Sequence, residues 1–367
     1  MPFRMKRKPV IHQMAPGFLY GDAIGNQARF IRGQLRQWGY ASQVYAQFRD
    51  NRLRDPGADY THYRGGCSEA LIFHYSIGSP LTQVALQHPG VVVPYYHNVT
   101  PPEFIRNYNP AFATLLEQGR QDLVLFKDAP LALAASEYNR QEMLALGFKR
   151  VEVLPYLVLF DELRASAHSP LGREIAGRYN DGWTNILFVG RLVPNKRQDN
   201  LIRAFNFYHR LINPRSRLLL IGSDANTPGY RLELQALIEE FDLKHVELLG
   251  PIGPREGLGA YYQTASIFVC LSEHEGCCVP LLEAMAFDVP VLSLHATGVP
   301  YTLGESGILL RQKRYDVLAE ALHLLVTDVS FRTGVLAAQR RRLADFDVSA
   351  ITRQLQQVVI DLQEICN

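Results

Sequence analysis

The chain has 367 residues, 47% hydrophobic and 20% charged, with Lys and Arg numbering 38 against 36 Asp and Glu, a formal net charge of +2. That length holds two ordinary domains and a large core, and the near-balanced charge supplies no field that would draw nucleic acid. Five cysteines (Cys67, Cys270, Cys277, Cys278, Cys366) are an odd number without paired ligand spacing, which predicts reduced thiols and a cytoplasmic setting. The basic start at residues 1–8 precedes an apolar run too short for a signal peptide, and no apolar run reaches membrane-spanning length.

Residues 9–14 read as a first strand, followed by a glycine loop containing Gly21, Asp22 and Gly25. Residues 23–38 have helical apolar spacing (Ile24, Ala28, Ile31, Leu35, Trp38), closed by Gly39 at a C′ position. Residues 42–46 give the next strand. A β–loop–α–β opening predicts a doubly wound α/β domain. The loop lacks a strict G-x-G-x-x-G, so two readings stand: a ligand-binding loop, or a tight turn that starts a helix. Apolar strands at 70–75, 91–96 and 131–136 continue the pattern. His97 falls at the carboxyl end of one of them, where open α/β sheets bind ligands, and a structural histidine bonded to backbone is the alternative. A linker is predicted around 157–169, within a mixed polar stretch with Ser169-Pro170 and Asp181-Gly182 turns.

The alternation then resumes. Strands are predicted at 185–189, 217–221 and 246–249, with helices near 201–209 and 230–241. Residues 260–265 form a short helix before a buried strand at 267–271. Beyond lie helices at 315–327 and 332–344 and an amphipathic helix at 349–365. Two tandem β/α domains follow, 1–160 and 161–348, with the last helix expected to return to the first. Arg340, Arg341 and Arg342 read as a solvated helix face, or as a contact for anionic lipid.

The stretch 272–294 carries the densest chemistry. Glu275 lies on a loop broken by Gly276, Pro280 suits a first helical turn, and Glu283 sits within the helix that follows. Backbone N–H groups of Gly276, Cys277, Cys278 and Val279 at that helix start make an anion site. Acids beside an anion site suit a ligand bearing both phosphate and hydroxyls, such as a sugar nucleotide. Cys277 and Cys278 beside His274 are a poor tetrahedral set, so no metal is expected there.

The motif E-G-C-C-V-P-L-L-E-A-M-A-F-D-V-P-V, with Glu275 and Glu283 as its E-x7-E pair, resembles the signature of the retaining GT-B glycosyltransferases of family four, the glycosyltransferase group 1 class. F-V-G-R-L-V-P-N-K at 188–196 resembles that family's diphosphate loop, and L-L-L-I-G-S at 218–223 its L-x-I-x-G strand. G-E-S-G-I-L-L at 304–310 resembles its G-x-x-G-x-L-L. T-G-V-P-Y-T-L at 297–303 stands where the family has G-G-x-P-E, with Tyr301 or Thr302 in place of the acid. Cys277 holds a position that is often aromatic. The resemblance is dense in the second half and architectural in the first.

It implies two Rossmann-like domains facing a cleft and transfer of a hexose from a nucleoside diphosphate sugar to a glycan or lipid-linked acceptor, in exopolysaccharide or cell-envelope synthesis. UDP-glucose is the favoured donor and GDP-mannose the alternative. It further implies Arg191 and Lys196 on the pyrophosphate, Gly190 in their loop, Glu275 on the donor sugar, Glu283 on the ribose, and Gly222 and Ile252 beside the base. His97 is placed near the reacting sugar, and Gly21, Asp22 and Gly25 in the acceptor-side loop. Front-face substitution without a protein nucleophile or a metal is implied, as is a cytoplasmic location, extending to peripheral contact with the membrane. A sugar-nucleotide epimerase and a non-catalytic nucleotide- or glycan-binding protein are the alternatives of other classes.

Overall fold

The computed structural model describes residues 10–366; the basic run 1–8 and Pro9, placed above in the first strand, lie outside the described residues. The chain divides into two compact units. The first comprises residues up to Val99, Leu115–Leu157 and the segment from Phe346 onward, and the second Thr100–Thr114 and Val158–Asp345. Residues 100–114, within the span expected for the first domain, thus pack with the second unit.

Strands β1 (Val10–Phe18), β2 (Val44–Arg49), β3 (Ala58–Asp59), β4 (Glu69–Tyr75), β5 (Val91–Tyr96), β6 (Ala132–Ala134) and β7 (Val151–Val153) form the first sheet. Their order is β3-β2-β1-β4-β5-β6-β7, parallel throughout. Ala70, Leu71, Ile72 and Phe73 are all fully buried, as a parallel strand covered on both faces requires. Helices α1 (Ala23–Gln37), α2 (Leu81–Leu86), α3 (Pro110–Asp122) and α4 (Glu137–Ala145) connect the strands. The short strand β3 and helix α3 are additions to the elements expected from sequence.

The expected linker at 157–169 is largely helical: α5 (Phe160–Ala167) occupies it, and α6 (Pro170–Tyr179) follows directly. The Ser169-Pro170 pair that reads as a turn is the start of α6. Ser169 Oγ accepts the Gly172 N–H at 2.9 Å, and Pro170 fills the first helical turn. The second unit continues through β8 (Thr184–Val189), α7 (Gln198–Leu211), β9 (Ser216–Ile221), α8 (Pro228–Glu240), β10 (Val246–Gly250), α9 (Leu258–Thr264) and β11 (Ile267–Cys270). It ends with α10 (Val279–Ala286), β12 (Val291–Leu294), α11 (Val299–Leu303), β13 (Ile308–Leu310), α12 (Tyr315–Thr327) and α13 (Val329–Leu343). Its sheet is parallel in the order β10-β9-β8-β11-β12-β13. Within it, α5 lies close to α9 because Gly259 has no side chain: a Cβ there would stand 2.1 Å from the Leu163 carbonyl oxygen.

Helix α14 (Val348–Ile365) belongs to the first unit, burying Ile351, Leu355, Val358, Val359 and Leu362, with Asp361 ion-paired to Arg150. Of the arginine run on α13, Arg340 pairs with Asp288 at 2.7 Å, and Arg342 reaches the Thr302 carbonyl at 2.9 Å and Asp345 at 2.6 Å. Among the described residues no single helix is long and apolar enough to cross a membrane.

Each sheet reverses its strand order at one point, between β1 and β4 in the first and between β8 and β11 in the second. Connections leave a doubly wound sheet in opposite directions there, and a crevice opens at the carboxyl ends of the strands.

Candidate active site

In the second unit the crevice is lined by the loops after β8 and β11, which are the two loops carrying the diphosphate-type motif and Glu275. The β8 loop is set by backbone. Gly190 N–H donates to the Ile221 carbonyl at 2.9 Å, Leu192 N–H to Ser223 at 2.9 Å, and Gly222 N–H to Gly250 at 2.8 Å. Gly222 passes so near that a Cβ on it would stand 1.8 Å from the Gly190 carbonyl oxygen. Only glycine permits that approach, which holds the Arg191 loop against the end of β9. The Arg191 side chain is exposed. Ile252 is half-buried in the loop after β10.

Lys196 and Glu275 meet across these loops, Nζ to Oε2 at 2.5 Å, with only 16% and 7% of their side chains exposed. Burial works against the Lys196 charge. Glu275 and the neighbouring thiols outweigh it and hold the ammonium pKa above its ordinary value. The pair is positioned by polar side chains that the sequence reading left out. Buried Asn195 donates from Nδ2 to the His274 carbonyl at 3.1 Å, and its backbone carbonyl accepts the Glu273 N–H at 2.8 Å. Thr297 Oγ1 accepts the Glu275 N–H at 2.7 Å and donates to the Glu275 carbonyl at 2.9 Å. Gly298 completes the clasp, its N–H bonded to the same carbonyl at 2.9 Å and its missing Cβ leaving room for Gly276. Glu273 ties the loop outward to Arg197 at 2.9 Å and to Lys313.

The helix-start anion site is narrower than expected. The Val279 N–H is bonded to the Cys277 carbonyl at 3.0 Å, so it is committed to the turn and withdrawn from any ligand. The cysteines also separate. Cys277 Sγ accepts from Thr302 Oγ1 at 3.7 Å, whereas Cys278 Sγ faces Cys270 Sγ at 3.9 Å. Burial pushes the Cys277 thiol pKa up to about 11, so it stays protonated at neutral pH. Cys277, at a position that is often aromatic in the family pattern, thus touches Thr302, which with Tyr301 stands where the pattern has an acid. Glu283 lies on α10 and accepts from Tyr262 Oη at 2.7 Å; burial raises its pKa, against the pull of that hydroxyl. Glu283 thus keeps one oxygen engaged by the protein.

In the first unit, Asp22 caps α1, its Oδ2 accepting the Gly25 N–H at 3.1 Å. Gly25 is packed on Leu19, where a Cβ would stand 2.4 Å from the carbonyl oxygen, and Gly21 has φ +78°. These contacts are those of a tight helix-starting turn at the sheet's switch point.

His97 ends β5, but its ring is buried and both nitrogens are taken. Nε2 meets His74 Nδ1 at 2.8 Å and Nδ1 meets Tyr156 Oη at 2.8 Å. The chain of bonds continues from His74 Nε2 to Gln13 Oε1 at 2.9 Å, and the Gln13 amide nitrogen donates to the Ala28 carbonyl at 3.1 Å. The Ala28 carbonyl fixes the Gln13 amide, and with it every proton along the line. His74 carries hydrogen on Nε2, His97 carries hydrogen on Nε2, and Tyr156 donates to His97 Nδ1. Burial pushes His74 down to about 3 and His97 well below its ordinary value, so both rings are neutral. Gln13 and His74 each interrupt an apolar central strand, the one signal in the sequence for this relay.

Two parallel α/β units, each with its loops at a switch point and one carrying a buried Lys–Glu pair beside a shortened helix-start site, have the GT-B architecture. Residues 177–341 match the family of glycosyl transferases group 1. A D-inositol 3-phosphate glycosyltransferase of Nocardiopsis dassonvillei is 30% identical over 182 residues, which are 47% of this chain and 42% of that protein. The O-antigen chain mannosyltransferase B of Escherichia coli is 25% identical over 232 residues, 62% of this chain and 59% of that one. The chain therefore spans about half the length of these curated relatives. An Anabaena protein, HepE, solved in complex with UDP-glucose, superposes with a TM-score of 0.70 at 16% identity, covering 96% of this chain and all of that one.

Proposed function

We propose that the protein is a retaining glycosyltransferase that moves a hexose from a nucleoside diphosphate sugar to a glycan or lipid-linked acceptor. The observation that carries this reading is the Lys196–Glu275 pair, which joins a diphosphate-type loop to a carboxylate loop at the second sheet's switch point. Lys196 and exposed Arg191 offset the negative charge that grows on the leaving diphosphate as the glycosidic C–O bond breaks. Such a contact contributes about 3–4 kcal/mol in the transition state. The Cys277 and Cys278 amides add donors at the start of α10. Glu275 accepts from sugar hydroxyls, and Glu283 accepts from the ribose with the oxygen that Tyr262 leaves open.

A leaving phosphate oxygen takes the acceptor proton, so no protein base is assigned. His97 fits that scheme as a neutral, orientation-fixed ring with no proton to exchange. UDP-glucose is the first donor to test, supported by the likeness to HepE, whose structure holds that ligand. The likeness to an O-antigen mannosyltransferase supports GDP-mannose as the second. Bacterial exopolysaccharide or cell-envelope synthesis at the cytoplasmic face of the membrane is the proposed setting.

A thermal-shift panel of nucleoside diphosphates and their sugars should single out one base, since a ligand that binds the native state stabilises it. Transfer or slow hydrolysis of the matching donor should then fall by about two to three orders of magnitude in Lys196→Ala. A flat panel, or full activity in Lys196→Ala, would overturn the assignment.

A further inference from the structure

Beside the Lys196–Glu275 pair lie two buried thiols that the proposed transfer does not use. Cys270 Sγ, Cys278 Sγ and a Glu275 carboxylate oxygen all lie within 4.8 Å of one another. Cys270 closes β11 and Cys278 begins the turn into α10, so the strand-to-helix connection itself brings the two thiols together. Ser272 Oγ lies 3.1 Å from Cys270 Sγ. Cys270 and Cys278 are 1% and 3% exposed, and the Lys196 ammonium lies against Glu275 as the cation of this cradle.

The sulfur separation tells two chemistries apart. Two thiolates on one tetrahedral zinc, each at about 2.3 Å, stand roughly 3.8 Å apart. A disulfide demands about 2.05 Å. The observed 3.9 Å matches the first with no movement of either cysteine, and the second would need both to move. Two sulfurs and a carboxylate oxygen are a soft, borderline donor set of the kind that selects zinc-like cations over magnesium or calcium. A fourth position falls to Ser272 Oγ or water.

We propose that Cys270, Cys278 and Glu275 form a binding site for a thiophilic divalent cation of the zinc and cadmium type, in which the metal takes the place of the Lys196 ammonium. Binding breaks two S–H bonds, forms two S–metal bonds and releases both protons to solvent; no electron changes hands. Lys196, the most exposed of the four groups, forms the rim over which the cation enters. Its ammonium competes with the metal for Glu275, which makes the site weaker than its donors alone would give. Occupancy removes Lys196 and Glu275 from the donor site, and that consequence rests on the transferase reading above.

Cadmium titrated into the full reduced chain tests the site through thiolate-to-metal charge-transfer absorption in the ultraviolet. One cation per chain should saturate the band. Cys270→Ser and Cys278→Ser should each lose half of it or more, and Cys67→Ser and Cys366→Ser should keep it. Lys196→Met removes the competing cation and should tighten cadmium binding by at least about tenfold. The gain must keep one cation per chain and its dependence on Cys270 and Cys278, which an unfolded chain with all five thiols open would not. No saturable band, a band that survives the Cys270→Ser/Cys278→Ser double variant, or unchanged affinity in Lys196→Met would each overturn the proposal. UDP binding measured with and without cadmium separates the two readings. A saturable, cysteine-dependent band with UDP affinity unchanged would sink the donor-site assignment and leave the metal site standing.

Discussion

Breaking the Lys196–Glu275 pair from either side should destabilise the second unit, and breaking it from both sides should not double the loss. At 2.5 Å the attraction is roughly 7 kcal/mol at an effective dielectric constant near 20. Desolvating each ion costs several kcal/mol, so the intact pair nets little. A single substitution leaves a charge in a site that is mostly closed to water, and such changes cost about 3–5 kcal/mol. Lys196→Met and Glu275→Gln should each fall in that range. The double variant, with no charge stranded, should lose less than the sum by about 3 kcal/mol. The Lys196 pKa is raised on folding, so its contribution is whole below the ordinary ammonium pKa of 10.5 and fades only as pH rises through the folded value. Measurement at neutral pH therefore sees all of it. The chain has two tryptophans, and Trp183 lies in the second unit while Trp38 lies in the first. Denaturant unfolding followed by Trp183 fluorescence in a Trp38→Phe background thus reports the relevant unit. Losses that add to within about 0.5 kcal/mol would show that the two groups do not interact, and would refute the reasoning.

Gly222→Ala should displace the Arg191 loop, because its new methyl falls on the Gly190 carbonyl. A loss of roughly five- to 150-fold in affinity for whichever nucleoside diphosphate the thermal-shift panel singles out, read by calorimetry, is expected for an overpacking cost of about 1–3 kcal/mol. Thr297→Ala removes both bonds to the Glu275 backbone and should cost about 1–3 kcal/mol in unfolding experiments on the second unit, with kcat/KM falling alongside. The histidine relay sets a pH dependence in the first unit. His74, held at about 3 when folded against 6.5 unfolded, binds its proton only on unfolding across that window, and His97 adds in the same direction. Stability should be flat above pH 6.5 and fall below it by about 1.4 kcal/mol per pH unit for each ring. Trp38 fluorescence in a Trp183→Phe background would follow this, and a His74→Gln variant should have the shallower slope. Asp22→Ala should cost the first unit about 1 kcal/mol by uncapping α1, with the same readout.

The β/α alternation was legible because parallel strands covered on both faces are apolar without interruption, as at Leu218–Leu220 and Ile267–Leu271. The two loops that meet at the second switch point were legible from their charged residues. Their closure was not. Asn195 reaches a carbonyl 79 residues away and Thr297 one 22 residues away, and such side-chain-to-backbone bonds leave no periodicity in the sequence. Helix α3 did announce itself. Asn109 accepts the Phe112 N–H at 3.0 Å ahead of Pro110, an N-cap and first-turn pair that could have been read directly. The commitment of Val279 to its own turn, and the pairing of Cys278 with Cys270 in place of Cys277, depend on how Pro280 starts α10. Local rules fix that only to within a residue or two.

Helix α14 has a consequence for how the molecule is made. A ribosome emits the chain from one end, so the strands of the first sheet emerge early, through Val153. Helix α14, with the Asp361 that meets Arg150, follows only after nearly two hundred intervening residues have been built. Until then the apolar ground that Ile351, Leu355, Val358 and Leu362 will cover stands open to water and to chaperones. Maturation of the first unit is thus timed by completion of the second, and a stop codon that spares Lys196, Glu275 and Glu283 still deprives the first unit of its last helix.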